Sequence, residues 1–280
     1  MDLCDVTRKQ LLYYEKKGFL KDVERDEENN YRYYSQLNIN QLFIMKEYLS
    51  MGYSLSDIYD ISMRGDVATM RRCIDSRMDS AREDFFRSMA QYEQTTKKYA
   101  QFMEGILYLE SHQQLLEAGA AGPMCELYTW PLQKSITANS SGTPFDEQAD
   151  NQARISELYI NTSKRDLKTC GPLFFQFKQL IKEDLTEIEM TDRDMVIGFP
   201  VLDLPDGRNG IDTIGGIECA STIHVGPYDE SLHETYKVLL TWCRERALKL
   251  TGDSIELYLL GGEMMTNPEH YVTRILLPLA

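Results

Sequence analysis

The apolar residues in the first sixty positions follow a helical spacing that is broken at a few polar or glycine positions. A first helix is predicted to begin after Thr7, whose hydroxyl is a suitable N-terminal cap, and to end at Gly18. Asn29–Asn30, followed by alternating tyrosines, indicates a β-hairpin. A second helix is predicted over 37–51 and a third after Ser54. Helix, hairpin and helix form the plan of a winged helix-turn-helix.

The next segment carries an apolar or aromatic residue at every seventh position. Between Asp75 and Glu117 there is no proline, and Gly105 is the only glycine, so one long helix is predicted. A lone helix cannot bury such a stripe. The stripe therefore predicts a coiled coil with a partner helix; the alternative is packing within the same chain. The stripe consists of Met78, Phe85, Tyr92, Tyr99 and Ile106, with Met89, Thr96 and Met103 at the alternate positions.

The second half alternates strand-like and helix-like segments. Strands are predicted over 217–225, 254–260 and 271–279, with a helix capped by Asp229 after the first of them. The same strand–helix–strand–strand order recurs more weakly over 125–202, beginning with a strand at 125–138. Two copies of one unit predict a pseudo-twofold α+β domain.

The fold class predicted for the whole chain is α+β, in three parts. Residues 1–74 form the winged helix, 75–122 the connecting helix and a glycine-rich linker, and 123–280 the pseudo-twofold domain.

Charge and hydropathy narrow the set of partners. The chain has 30 basic and 44 acidic residues, a net charge of −14, and most of the acidic excess lies in the second half. An acidic chain is a poor non-specific binder of nucleic acid, whereas an acidic domain favours a cationic ligand. No apolar run approaches the roughly 20 residues that span a bilayer, so we expect a cytoplasmic protein without a membrane partner.

The residues that bind metals or act as nucleophiles show no informative spacing. None of the six cysteines forms a Cys-x-x-Cys or Cys-x-Cys pair, so they are interpreted as ordinary buried thiols. The four histidines are scattered, and no nucleophile elbow is present. We therefore predict no metal, no cofactor and no enzymatic activity.

Three segments of the first sixty residues resemble the MerR-type transcription regulators in their sequence, their order and the gaps between them. This resemblance implies promoter binding as a homodimer, in which the long connecting helix forms an antiparallel coiled coil with its twin. It also implies an effector that is read by a C-terminal region. We assign DNA contacts to Thr7, Arg8, Lys9, Tyr13, Tyr14, Arg32 and Tyr33. The segments are Leu11-Leu12-Tyr13-Tyr14-Glu15-Lys16-Lys17-Gly18-Phe19-Leu20, Tyr31-Arg32-Tyr33-Tyr34 and Met51-Gly52-Tyr53-Ser54-Leu55-Ser56-Asp57-Ile58.

Two departures from the MerR pattern bear on DNA binding. That family has a short strand and a helix before the recognition helix, but here only a few residues precede Val6. Leu12 also stands where the family usually has an arginine, which removes a phosphate contact. We therefore expect a misplaced start or a truncated chain, with weakened DNA binding. A DNA-silent ligand-binding protein is the corresponding alternative.

The last sixty residues resemble the GyrI-like effector-binding domains, which implies a ligand cleft between the two repeats. By position, Glu256 corresponds to the buried glutamate of the multidrug sensors and Tyr271 to an aromatic wall residue. The matching segments are His224-Val225-Gly226-Pro227-Tyr228, Ile255-Glu256-Leu257-Tyr258 and Pro268-Glu269-His270-Tyr271-Val272-Thr273-Arg274-Ile275.

The residues around Glu256 also support a ligand-binding role for this side chain. Glu256 lies between Ile255 and Leu257 in an apolar strand and shares its face with Tyr258. A desolvated carboxylate beside tyrosines favours an aromatic cation. The alternatives are a solvated glutamate or one paired with Arg274. The predicted ligand-binding set is Glu256, Tyr258, Tyr271, Tyr228 and Trp130.

The order of the three parts predicts a ligand-responsive, DNA-binding transcription regulator that senses a small aromatic or cationic effector. The alternative from another class is a GyrI-like small-molecule hydrolase that uses Glu256, Tyr258 and Trp130.

Overall fold

The computed structural model describes residues 6–119, 123–140, 148–181, 195–202 and 211–280. The chain divides into two compact units, the first ending at Arg87 and the second beginning at Ser88. This division and the predicted boundary at residue 74 both fall within one long helix. The domain boundaries given in the sequence analysis therefore stay predictions. No helix within the described ranges is long and apolar enough to cross a membrane. The residues before Val6 and most of the predicted linker lie outside the described ranges.

The first unit contains the predicted winged helix-turn-helix elements. The three short helices all begin at a capping box, in which the cap hydroxyl and the third helical side chain satisfy each other's backbone N–H groups. The caps are the predicted Thr7 and Ser54, together with Ser35. The elements are α1 (Arg8–Lys16), β1 (Glu24–Arg25), β2 (Arg32–Tyr33), α2 (Gln36–Ser50) and α3 (Leu55–Arg64).

A small apolar core holds these elements together. Side chains from α1, α2 and α3 meet in it, and Asn38 of α2 is fully buried and donates to the Lys21 carbonyl at 2.7 Å. Gly18 has a φ of 79°, which lets the chain turn out of α1 at the predicted position. The buried residues of this core are Val6, Tyr14, Leu20, Leu42, Met45 and Ile58.

The long helix α4 runs from Val67 to Glu117, so it begins eight residues before the predicted start. Its heptad stripe is exposed in the single chain: Phe85 is 62% exposed, Tyr92 73% and Tyr99 65%. Within the described residues, the stripe therefore lacks the packing against its own chain that was the alternative to a coiled coil.

The second unit is built on an antiparallel sheet of eight strands with the order β3-β8-β10-β9-β5-β6-β4-β7. Reading outward from the central β9–β5 pair, the second repeat supplies β9, β10 and β8, and the first supplies β5, β6 and β4. This arrangement confirms the predicted α+β fold with two related halves. The strands are β3 (Cys125–Trp130), β4 (Gln133–Ser140), β5 (Leu173–Phe177), β6 (Met195–Pro200), β7 (Asp212–Ile214), β8 (Ile217–Val225), β9 (Ser254–Leu260) and β10 (Val272–Pro278), and the helices are α5 (Gln148–Lys164) and α6 (Glu230–Glu245), with a 3₁₀ turn at Pro268–His270.

The prediction of one strand over 125–138 was wrong. The segment forms two strands, β3 and β4, that lie far apart in the sheet order. Pro131 stands between them, and a proline interrupts a strand because it has no N–H to donate.

The two faces of the sheet are covered by different helices. Helices α5 and α6 pack on one face over the main core, which includes Leu158, Phe175 and Tyr236. The second half of α4 packs against the other face, where Phe102, Tyr108 and Leu109 approach Leu259, Leu260 and Val272.

The sheet-facing side of α4 is a second stripe that the heptad analysis did not identify. Its amides and its lysine donate to backbone carbonyls: Gln94 to Thr169 at 2.9 Å, Lys98 to Gly171 at 2.6 Å and Gln101 to Leu259 at 3.1 Å. A Cβ on Gly105 would lie 2.6 Å from Leu260 Cγ, so this position needs a glycine for close approach. The stripe continues to Tyr108.

Candidate functional site

The carboxyl group of Glu256 lies on β9, facing α6, and is 4% exposed. Tyr236 of α6 donates to Glu256 Oε1 at 2.8 Å. Tyr258, two residues along the same strand, donates to Glu256 Oε2 at 2.7 Å. Each carboxylate oxygen therefore accepts one phenolic hydrogen bond, from a different element of the fold.

Tyr236 is a site residue that the sequence prediction missed. Its hydroxyl also lies 2.7 Å from Ser254 Oγ, and the side chain is 2% exposed. Tyr236 lies on the inward face of α6. A buried phenol needs a hydrogen-bond partner, and this requirement is the signal from which a polar group beneath the helix could have been inferred.

Burial dominates the electrostatics of the site. It raises the pKa of Glu256, and the hydrogen bonds from Tyr258 and Tyr236 and the nearby His233 lower this pKa only in part. Burial, together with the neighbouring carboxylate, also raises the pKa of Tyr236 and Tyr258, which keeps both phenols protonated as donors. Among the described residues Glu256 forms no ion pair with Lys or Arg. It is therefore neither a solvated glutamate nor one paired with Arg274.

Three predicted aromatic residues meet beside Glu256. The Tyr228 ring lies edge-on to Tyr258 at 5.3 Å and tilted by 30° against Tyr271 at 5.1 Å, measured between ring centroids. Phe175 contacts the Tyr258 ring from β5 at 5.2 Å. Tyr228 is 42% exposed, so this aromatic group reaches from the buried carboxylate to the surface.

The loop after β9 needs a glycine beside these rings. A Cβ on Gly262 would lie 2.9 Å from the Tyr271 hydroxyl, and such a contact requires one of the two groups to move. Gly262 therefore makes room for the aromatic side chain of Tyr271.

The prediction for Trp130 was wrong. Trp130 packs against Phe174 at 5.6 Å and belongs to a core cluster with Cys219 and Leu276, on the face of the sheet that α4 covers. Side chains alternate along a strand, and the register of β3 on β8 turns Trp130 away from the face that carries Glu256. Sequence alone does not specify that register.

Arg274 of β10 is the second buried charge, and it lies on the opposite face of the sheet from Glu256. Its two terminal nitrogens donate to Glu126 and Glu104, both at 2.8 Å, and to Tyr108 at 2.6 Å and Ser221 at 3.2 Å. The guanidinium carbon also lies 4.3 Å from the centre of the Tyr128 ring. The group joins α4 to β3, β8 and β10.

The predicted DNA-contacting residues divide into an exposed set and a structural set. Arg8, Lys9, Tyr13 and Tyr33 are exposed on α1 and the hairpin. Tyr14, in contrast, is 8% exposed and lies in the core of the first unit. Its assignment to DNA contact is therefore wrong, because its position on α1 turns the ring towards α2 and α3.

Thr7 and Arg32 have partners inside the protein. The Thr7 hydroxyl accepts from the Gln10 N–H at 3.2 Å as the cap of α1. Arg32 Nε donates to Glu15 at 2.7 Å, and Arg25 donates to the same carboxylate at 2.5 Å. Burial acts to raise the pKa of Glu15, but these two arginines outweigh it, and the pKa is lowered. The ion pairs attach the hairpin to α1.

The five cysteines in the described part of the chain are free thiols, and Cys170, Cys219 and Cys243 are buried. Burial raises the pKa of Cys219 to about 12 and that of Cys243 to about 11, so neither forms a thiolate at neutral pH. Within the described part of the chain, no three His, Cys, Asp or Glu side chains come together in a group able to hold a metal ion.

Comparisons with known proteins match the two ends of the chain separately. Residues 2–63 match the MerR HTH family regulatory protein and residues 181–280 match the GyrI-like small molecule binding domain. The chain is 35% identical over 57 residues to the mercuric resistance operon regulatory protein of Bacillus cereus, covering 42% of that protein and 20% of this chain. It thus spans less than half the length of this curated relative.

Two solved structures match this chain at low sequence identity. The EcmrR–DNA complex is 20% identical with a TM-score of 0.47, over 99% of this chain and 96% of that one. A hydrolase from Listeria innocua is 17% identical with a TM-score of 0.39, over 60% of this chain and 98% of that one. The family matches carry the assignment by segment: the chain has a MerR-type helix-turn-helix domain at its N-terminal end and a GyrI-like small-molecule-binding domain at its C-terminal end.

Proposed function

We propose that the protein is a ligand-responsive, DNA-binding transcription regulator whose effector is a small aromatic cation held at Glu256. One observation carries this proposal. Glu256 is buried among tyrosines, accepts hydrogen bonds only from neutral hydroxyls and, among the described residues, has no Lys or Arg partner. Tyr228 and Tyr271 lie between it and the surface.

The energetics explain why a cation fits. A buried carboxylate without a counter-ion is costly, and the protein lowers this cost partly by raising the pKa of the group. A flat cation would neutralise the charge and contact the faces of the tyrosine rings, and both interactions strengthen in a desolvated site. A neutral ligand gains only the second kind of contact.

Glu256→Gln tests the proposal, because it keeps the shape of the side chain and removes its charge. The probes are methyltriphenylphosphonium and its neutral relative triphenylphosphine oxide, titrated calorimetrically into both proteins. The cation should lose roughly 2–3 kcal/mol of binding free energy, and the neutral compound much less. Equal losses would mean that Glu256 only shapes the pocket. No loss for either probe would place the effector site elsewhere.

DNA binding is proposed for the exposed start of α1. The N-terminal residues of a recognition helix contact DNA in helix-turn-helix proteins, and Arg8 and Lys9 are exposed there. Arg8→Ala should weaken binding to the duplex upstream of the gene and reduce the slope of log affinity against log salt by about 1. Lys237→Ala, on α6, is the matched control and should leave the slope unchanged. Absence of any binding by the unaltered chain would favour the DNA-silent alternative.

A homodimer through the exposed heptad stripe of α4 is also proposed. The opposite side of the helix is occupied by its own sheet, so the stripe is available to a second copy. Replacing Phe85 and Tyr92 with Asp should give monomers in sedimentation velocity at micromolar concentration, because it would bury unpaired charge. Val238→Asp, at an exposed apolar position of α6, is the control and should leave the assembly unchanged.

Regulation requires that the effector favour one of two protein–DNA geometries, since a ligand with equal affinity for both shifts nothing. The hydrolase alternative named Glu256, Tyr258 and Trp130 as its candidate residues. Trp130 lies on the other face of the sheet, so we do not propose it.

A further inference from the structure

The turn at 226–228, which leads from β8 towards α6, carries the outermost ring of the aromatic group beside Glu256. Tyr228 packs its ring against Tyr258 and Tyr271, but 42% of the side chain is exposed. A ring that is packed on one side only depends on its backbone for its place. Whatever fixes this turn therefore fixes an aromatic wall of the proposed effector site.

Hydrogen bonds hold the turn at two points. At the first, the Gly226 N–H donates to the Tyr271 carbonyl at 3.0 Å. At the second, Nε2 of His224 lies 3.0 Å from the Pro227 carbonyl oxygen. Pro227 directly precedes Tyr228, so the bond from His224 acts one residue away from the aromatic ring.

The partners of His224 determine which of its ring nitrogens carries the proton. The side chain is 2% exposed, and burial lowers its pKa, so the ring is neutral at neutral pH. A carbonyl oxygen can only accept, so Nε2 carries the proton and donates to Pro227. Nδ1 then accepts from the Thr235 hydroxyl of α6 at 2.9 Å. His224 therefore holds the turn from the core and is itself held by α6.

The two partners of the imidazole differ in how easily they find a replacement. Thr235 Oγ1 also lies 3.1 Å from the Ser231 carbonyl, to which it can donate if the ring is removed. The Pro227 carbonyl has the Ser231 hydroxyl at 3.5 Å, but this hydroxyl lies closer to the Asp229 carboxylate, at 2.7 Å. His224 is therefore the main donor to the turn.

We propose that His224 is a positioning residue of the effector site, which holds Tyr228 in place as an aromatic wall through the Pro227 carbonyl. The inference rests on the proposed effector site and adds a residue that determines its preference for aromatic ligands. Both ring nitrogens of His224 are used by the protein, so it acts on a ligand through Tyr228. Glu256 then distinguishes cations from neutral ligands, whereas His224 affects either kind.

Two matched variants separate the ring nitrogens, because a glutamine amide reaches as far as Nε2 and an asparagine amide only as far as Nδ1. Methyltriphenylphosphonium and triphenylphosphine oxide are titrated calorimetrically into both variants and into the unaltered protein. His224→Gln should keep the affinity of each probe within about twofold, since it still donates to Pro227. His224→Asn should weaken both probes by about fivefold, because the turn loses its donor and the Tyr228 ring its place. Equal affinities for the two variants, or a loss for the cation alone, would overturn the proposal.

A double-mutant cycle tests whether His224 acts through Tyr228. Tyr228→Leu removes the ring and should weaken both probes by about tenfold. In that background His224→Asn should add less than about a twofold further loss, because the wall that it positions is gone. An undiminished loss in the absence of the Tyr228 ring would mean that His224 acts by another route, and it would refute the positioning role.

Spectroscopy of the unaltered protein covers the case in which a variant does not fold. With ¹⁵N-labelled histidine at neutral pH, the His224 ring should show a protonated Nε2 and an unprotonated Nδ1. The opposite tautomer has no proton to donate to Pro227, and finding it would contradict the proposal. With ¹³C-labelled tyrosine rings and no ligand present, the Tyr228 resonances should move in His224→Asn and keep their positions in His224→Gln.

The outcomes also separate this inference from the proposed function. If Glu256→Gln weakens cation binding but the two His224 variants behave alike, the effector site stands and the positioning role is refuted. If Glu256→Gln leaves cation binding unchanged, the effector site is refuted. The Tyr228 resonances of the unliganded variants then still decide whether His224 positions the ring.

Discussion

Glu256 and Arg274 lie on adjacent strands of one sheet, point to opposite faces and are both at most 4% exposed. Arg274 is surrounded by two carboxylates, two tyrosine side chains and a serine hydroxyl. Glu256 has only hydroxyl donors. The two sites share burial and strand geometry, and they differ in how completely the charge is compensated by the protein.

The difference separates a structural role from a binding role. Burial alone lowers the pKa of Arg274, but Glu126, Tyr108 and Glu104 outweigh this effect and raise it, so the arginine stays charged and holds α4 on the sheet. For Glu256 burial prevails, and its pKa is raised. A buried charge that the protein leaves uncompensated is a candidate for compensation by a ligand.

The largest expected effect comes from removing the compensated charge. Arg274→Ala should lower the free energy of unfolding by about 3 kcal/mol, the lower end for a broken buried pair, because Glu104 and Glu126 are partly exposed and can rehydrate. Urea unfolding followed by circular dichroism measures it. A loss below about 1 kcal/mol would contradict the structural role, since single surface changes already reach half that size.

Gly105→Ala tests whether the α4 face around Arg274 is a packed interface. Alanine in place of glycine favours an isolated helix by about 1 kcal/mol, but the new methyl would meet Leu260 Cγ at 2.6 Å. Overpacking costs about 1–3 kcal/mol, so we expect a net loss of about 1 kcal/mol in urea unfolding. A more stable variant would mean that α4 is not held against the sheet.

Glu256→Gln should stabilise the unliganded protein at pH 7, by less than Arg274→Ala destabilises it. The folded-state pKa of Glu256 is raised, so between the unfolded value of about 4.3 and the folded value the folded protein binds the extra proton. Its stability therefore falls as pH rises through this window and stays lower above it. The Gln variant lacks this loss, so its advantage at pH 7 should disappear below about pH 4. Thermal unfolding at the two pH values measures it, and an unstabilised variant at pH 7 would contradict the picture of an uncompensated charge.

The smallest effect is expected for an exposed charge on the same helix as Glu104. Arg82 pairs with Asp79 at 3.4 Å, and the two side chains are 65% and 70% exposed. Arg82→Ala should change the free energy of unfolding by no more than about 0.5 kcal/mol. It serves as the control for Arg274→Ala. A comparable loss of unfolding free energy at both positions would mean that the buried ion pairs of Arg274 stabilise the fold no more than an exposed pair does.

Part of the candidate site could be predicted from the sequence. Strand alternation placed Glu256 opposite to Ile255 and Leu257 and on one face with Tyr258. Tyr228 and Tyr271 were identified from motifs, and the structure brings their rings together. Tyr236 was missed because its contact with Glu256 joins a helix to a strand 20 residues away, and no spacing rule covers such a contact.

The local features of the chain were determined by the sequence itself. The caps at Thr7, Ser54 and Asp229, the stop at Gly18 and the strand Ser254–Leu260 depend on residues a few positions apart, whose hydrogen bonds and side-chain spacing are set locally.

The tertiary structure decided what depends on distant partners. Strand order and register turned Trp130 away from the sheet face that carries Glu256 and placed Arg274 on the opposite face. The bond between Glu104 and Arg274 joins residues 170 positions apart, and it gives α4 a second, sheet-facing side that its heptad pattern does not reveal. Periodicity reports that a helix face is apolar or polar; which surface covers that face is decided only when the whole sheet has formed, because the partners come from separate strands.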